Sequence, residues 1–114
     1  MTKLKLTDSE VLKIIQHAKA EAIRFTDAYL EQYASDAFSC GFAWVNIKPA
    51  NGQFARMLKS IGVGHIDGNS GGWIIWNPSG HPTQNMCAKE AGAEAFAAEL
   101  SKFGVNAYAA SRID

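Results

Sequence analysis

Cysteine, proline and net charge are all scarce in this chain. Its two cysteines, Cys40 and Cys87, have no CxxC spacing. That excludes a disulfide-dense scaffold and a redox pair, and leaves two free thiols as the expectation in a reducing compartment. Eleven basic residues cancel eleven acidic ones. A protein held on duplex nucleic acid mainly by phosphate contacts carries a basic excess, so the balance argues against that partner while leaving room for a local patch. No apolar run approaches the ~20 residues that span a bilayer. The first ten residues, MTKLKLTDSE, turn charged where a signal peptide needs an apolar stretch. The expectation is a cytoplasmic protein with no membrane partner. There is no Walker glycine loop, no GxSxG and no HExxH. Gly62-Val63-Gly64 falls between a helix and a strand, the wrong order for a dinucleotide fingerprint. No catalytic residue and no cofactor are therefore assigned.

What the chain does have is ordinary globular composition, 47% hydrophobic and 19% charged over 114 residues. That length suits one domain, residues 1–114, with one core. Thr7-Asp8-Ser9-Glu10 has the form of a capping box. Apolar residues then recur at helical spacing, Val11, Ile15, Ala18, Ala22, Phe25 and Tyr29, with no Gly or Pro between them. The pattern predicts an amphipathic helix over 8–34. His17 falls on its polar side.

From residue 41 the periodicity changes to two. GFAWVNIKP alternates, with Ala43, Val45 and Ile47 on one face and Phe42, Trp44 and Asn46 on the other, and Pro49 closes it. Asn51 is positioned to cap a short helix carrying Phe54, Met57, Leu58 and Ile61, and Gly62 to end it. GVGHID reads as a weak strand, GNSGG as a turn and WIIWNP as a strong strand. A helix over 84–103 follows, with Phe96, Leu100 and Phe103 as its stripe and Gly104 at its end. Gly92 inside that helix costs about 1 kcal/mol relative to Ala, which points to a close approach by a neighbouring backbone. VNAYAASRI alternates as a last strand.

The order over 41–114 is strand, helix, strand, strand, helix, strand. Two βαβ halves joined by a hairpin give a ferredoxin-like split βαβ sheet in an α+β domain, preceded by the long N-terminal helix. Right-handed crossovers place both helices on one face. The opposite face then presents Phe42, Trp44 and one tryptophan of the third strand, an apolar patch that a soluble monomer rarely leaves open. The N-terminal helix is the simplest cover and a second copy in a homodimer the next.

Three candidate sites follow. The loop Asn77, Ser79, His81, Thr83, Gln84 and Asn85 leads into a helix whose first amides attract anions, and Arg112 near Asp114 offers a bidentate anion contact. Together they suggest a non-enzymatic binding protein for a small anionic or nucleotide-like ligand or a host protein. A second reading is a small hydrolase or transferase using His81 with Cys87 or Asp67. A third is single-stranded nucleic acid stacked on Trp44 and Trp76, against which stands the absence of the basic, glycine-rich strand typical of RNA-recognition domains. A metal set from His65, Asp67, His81 and Cys87 matches no standard spacing, so no metal ligands are assigned.

Three strings carry a resemblance: GFAWVNIKP, then GGWIIWNPSGHPTQNMCAKEAGAEAFAAEL, then AYAASRID. They resemble small uncharacterised proteins of tailed bacteriophages in the aromatic strand before a proline, the W-N-P turn, the K-E-A-G helix and the S-R-x-D end. The resemblance covers residues 41–114 and implies an accessory protein acting in the cytoplasm of an infected host. It implies no activity and no site residues.

Overall fold

The computed structural model describes residues 6–33, 40–68 and 71–113. Its elements are α1 (Asp8–Tyr33), β1 (Gly41–Ile47), α2 (Gln53–Ser60), β2 (His65–Ile66), β3 (Trp73–Trp76), α3 (Met86–Ser101) and β4 (Ala107–Ile113). The architecture is α+β: a long N-terminal helix and a four-stranded sheet in the order β2-β3-β1-β4, every neighbouring pair antiparallel. Among the described residues no helix is long and apolar enough to cross a membrane.

Local chemistry accounts for the helix boundaries. Thr7 and Glu10 close the capping box reciprocally: Glu10 N donates to Thr7 Oγ1 at 3.2 Å and Thr7 N to Glu10 Oε1 at 3.2 Å. Gly62 follows α2 with φ of 78°, the left-handed conformation that releases a chain from a helix. Asn51 does not cap α2. The cap is Gly52, without a side-chain hydrogen bond, because the residue adjoining the first helical position is the glycine.

The core lies between the sheet and a helical layer on one of its faces. Ala43, Val45 and Ile47 of β1 and Trp73 and Ile75 of β3 meet Phe54 and Leu58 of α2, Phe96 and Leu100 of α3, and Val11 and Ile15 of α1. Each large side chain so enclosed contributes about 1.5–3 kcal/mol. Period-two alternation therefore selects the inward residues, as expected for a sheet covered on one side.

The long helix does not cover the other face of the sheet, contrary to expectation; it runs along α3 within the helical layer. Small residues on both helices explain the docking. Ala18, Ala22 and Thr26 of α1 are fully buried, as are Ala88 and Ala93 of α3. Gly92 sits where any Cβ would collide with Thr26 Oγ1 and the Ala22 carbonyl, and Thr26 Oγ1 donates to the Ala88 carbonyl at 2.8 Å. Gly92 thus exchanges intrinsic helix propensity for close helix approach. Several apolar positions expected inside are outside, among them Leu12 and Ile23, expected to widen the α1 stripe. Phe25 is exposed with the Arg24 guanidinium 4.9 Å above its ring, since Thr26 holds the buried position. Phe103 is exposed beyond the end of α3.

Candidate functional site

The loop after β3 is built almost entirely from its own polar side chains. Asn77 takes a left-handed φ of 41°, and its carbonyl accepts from Gly80 N at 2.8 Å, closing a turn across Pro78 and Ser79. Asn77 Nδ2 donates to the His81 carbonyl at 3.2 Å, and Ser79 Oγ accepts from His81 N at 3.3 Å. His81 Nδ1 accepts from Thr83 N at 3.0 Å, and Thr83 Oγ1 from Asn85 N at 3.1 Å. Asn85, 3% exposed, caps α3 by accepting from Ala88 N at 3.1 Å. Asn, Ser and Thr side chains commonly substitute for missing backbone partners in this way. Five of the six loop candidates therefore support the path of the chain; Gln84 alone faces solvent without such a bond. The loop packs toward the helical layer, with His81 Nε2 3.8 Å from Asp27 Oδ1 of α1.

Arg112 belongs elsewhere. It pairs with Phe42 across the β1–β4 ladder, and its guanidinium lies 5.7 Å from the Phe42 ring centre. Its side chain therefore projects from the outer sheet face and does not join the loop side chains in one surface. Asp114, its expected neighbour, lies outside the described residues.

That outer face is the most distinctive surface of the molecule. Paired residues share a face, so the register places Phe42, Trp44, Asn46, His65, Ile74, Trp76, Tyr108, Ala110 and Arg112 on the outer one, where Asn46 and Ile74 are nevertheless buried. Trp44 and Trp76 face one another across the ladder with rings 5.5 Å apart and 8° from parallel, and Phe42 lies 5.4 Å from Trp76. Trp76 remains 46% exposed and Tyr108 40%. Trp73 is buried, with its Nε1 donating to the Val63 carbonyl at 2.8 Å, whereas Trp76 is not covered by the N-terminal helix. Cations border the rings. Besides Arg112, Lys89 Nζ lies 5.4 Å from the Phe42 ring while donating to the Gly41 carbonyl at 3.0 Å, and Lys48 Nζ lies 6.0 Å from Tyr108. None of the outward strand residues is acidic.

His81 and Asp67, one of the suggested catalytic pairs, stand at opposite ends of β3. Asp67 precedes the start of β3 and His81 follows its end, so the strand length, roughly 10 Å, lies between them. His81 is engaged at Nδ1 by Thr83 and approached at Nε2 by Asp27, with Cys87 half-buried in the first turn of α3. The metal set spanning His65 and His81 is divided in the same way, since His65 pairs with Ile74 on the far edge strand.

Two further features escaped the sequence reading. A cleft of about 830 Å³ runs between α2 and the β2–β3 edge, floored by Trp73 and Ala55 and rimmed by Arg56, Lys59 and His65. On the α1–α3 seam, His17, Glu21 and Glu99 bring their ligating atoms within 4.8 Å of one another. Spacing four apart on a helix signalled the first two; only the tertiary packing brings in Glu99. The Glu21 carboxyl is held below its ordinary pKa of 4.5, chiefly by its hydrogen bond from Arg24.

Searches against protein-family models, curated proteins and solved structures gave no match.

Proposed function

We propose that this is a non-enzymatic binding protein whose ligand surface is the outer sheet face, and that its ligand class is single-stranded nucleic acid. The observation that carries the reading is the parallel, half-open Trp44–Trp76 pair with Phe42 beside it and Arg112, Lys89 and Lys48 at its margins. Proteins that take single strands combine aromatic platforms, on which bases stack, with cations that follow the backbone. Topology supports the same reading. Two crossovers through α2 and α3, a β2–β3 hairpin and the order β2-β3-β1-β4 suit a ferredoxin-like split βαβ arrangement, in which RNA-recognition domains stack bases on their two central strands. Here the central strands are β1 and β3, the pair that carries both tryptophans. The phage-protein resemblance fits a small accessory binder of this kind.

The test is tryptophan emission during titration with oligothymidylate and oligouridylate. Stacking quenches the outward indoles, and Trp76→Ala lowers affinity by about 1–3 kcal/mol while the fold persists. Two results overturn the reading: emission that stays flat to millimolar oligonucleotide, or emission that shifts blue with protein concentration alone, which would mean that a second copy covers the face.

A further inference from the structure

The α1–α3 seam carries a cluster with a different chemistry. His17 and Glu21 stand one helical turn apart on α1, and Glu99 reaches across from α3. Residues four apart on a helix share a face, so the first two project together. His17 Nε2 lies 3.4 Å from Glu99 Oε2. Bonds of about 2.0–2.1 Å at a tetrahedral angle separate adjacent ligand atoms on one zinc ion by roughly 3.3 Å, a separation that this pair matches and that the third atom, within 4.8 Å of both, would reach by closing in.

The Glu99 side chain is only 11% exposed. A carboxylate enclosed to that degree carries a desolvation cost that needs a strong positive partner. Its present partners are His17 and the Lys102 ammonium, which bonds Oε1 at 2.8 Å; Arg24 bonds Glu21 Oε2 at 2.7 Å. The Lys102 and Arg24 side chains are 65% and 68% exposed, so solvent screens both pairs.

We propose that His17, Glu21 and Glu99 form a divalent transition-metal site that clamps α1 to α3. One imidazole nitrogen and two carboxylate oxygens suit zinc and its first-row neighbours better than magnesium or calcium, which favour all-oxygen sets. Three protein ligands leave a fourth position to solvent. The site lies in the helical layer, away from the aromatic face, and does not depend on the reading proposed for that face.

The experiment is titration of the full chain with Co²⁺ and Zn²⁺, followed by visible absorption and thermal unfolding. A 1:1 complex is expected, with Co²⁺ bands in the visible and no thiolate charge-transfer band in the near ultraviolet. The unfolding midpoint should rise by several degrees with excess Zn²⁺, because a ligand that binds only the folded state stabilises it by mass action. His17→Gln and Glu99→Gln should each weaken binding at least tenfold, whereas His65→Gln and His81→Gln should leave it unchanged. His17 is largely exposed, so its variant folds even if Glu99→Gln does not. A thiolate band would assign the metal to Cys40 or Cys87 and overturn the proposal. So would equal losses in all three histidine variants, or no saturation below millimolar metal, either of which would leave the cluster an ion-pair network.

Discussion

One peptide bond, between Trp76 and Asn77, separates two surfaces of opposite character. Downstream lies a loop rich in hydrogen-bonding side chains, nearly all engaged with the loop's own backbone. Upstream lies a sheet face rich in apolar rings that no described helix covers. Polar content made the loop look available, and apolar content made the strand look buried. The loop's polar groups are largely engaged, and β3 is buried at Trp73, Ile74 and Ile75 and open at Trp76, because availability depends on what a group's neighbours already satisfy. An amide or hydroxyl that completes a turn is unavailable to a ligand, while an aromatic ring such as Trp76, 46% exposed, keeps part of its face open.

Three substitutions sharpen the contrast, the largest in effect first. Phe96→Ala, in the core beneath the inner face, should cost about 3–5 kcal/mol in denaturant unfolding, with the folded fraction still binding oligonucleotide normally. If stability and affinity fell together, the two faces would not be separable. Asn85→Ala removes the α3 cap and should lower stability by about 1 kcal/mol while leaving affinity unaltered. A selective loss of affinity in that variant would return the functional role to the loop. Arg112→Gln does the opposite. Stability should be nearly constant, and the slope of log affinity against log salt should fall by about 0.7, the contribution of one phosphate contact on a single strand. An unchanged slope would remove Arg112 from the ligand surface.

Much of the architecture was legible because it depends on short-range rules. Alternation chose Ala43, Val45 and Ile47 as inward, the Thr7–Glu10 spacing located the start of α1, and an interior glycine at 92 foretold a close helix contact. Errors arose where tertiary partners reverse a local preference. Phe25 was expected in the buried stripe of α1, yet the Ala88 carbonyl supplies the hydrogen bond that permits Thr26 to be buried and leaves Phe25 outside. The site was legible only in part. Trp44 and Arg112 were recognisable as candidates, but the loop side chains could not be separated from them by type alone. Asn77 looks the same in sequence whether it meets a ligand or the His81 carbonyl. Glu99 carried no sequence signal toward His17, some eighty positions away.

Lys89 gives the two layers of the molecule a shared vulnerability. It is 7% exposed, rooted in the first turn of α3, and reaches the Gly41 carbonyl and the Phe42 ring together. One side chain thus closes the end of the core and supplies charge beside the open aromatic face. Substitution there should follow a narrow rule. Arginine can preserve both roles, leucine only the packing, and an exposed-surface replacement such as glutamate neither. In a mutational scan of stability Lys89 would score as a core residue, and any effect on binding would follow from the Phe42 ring that it supports.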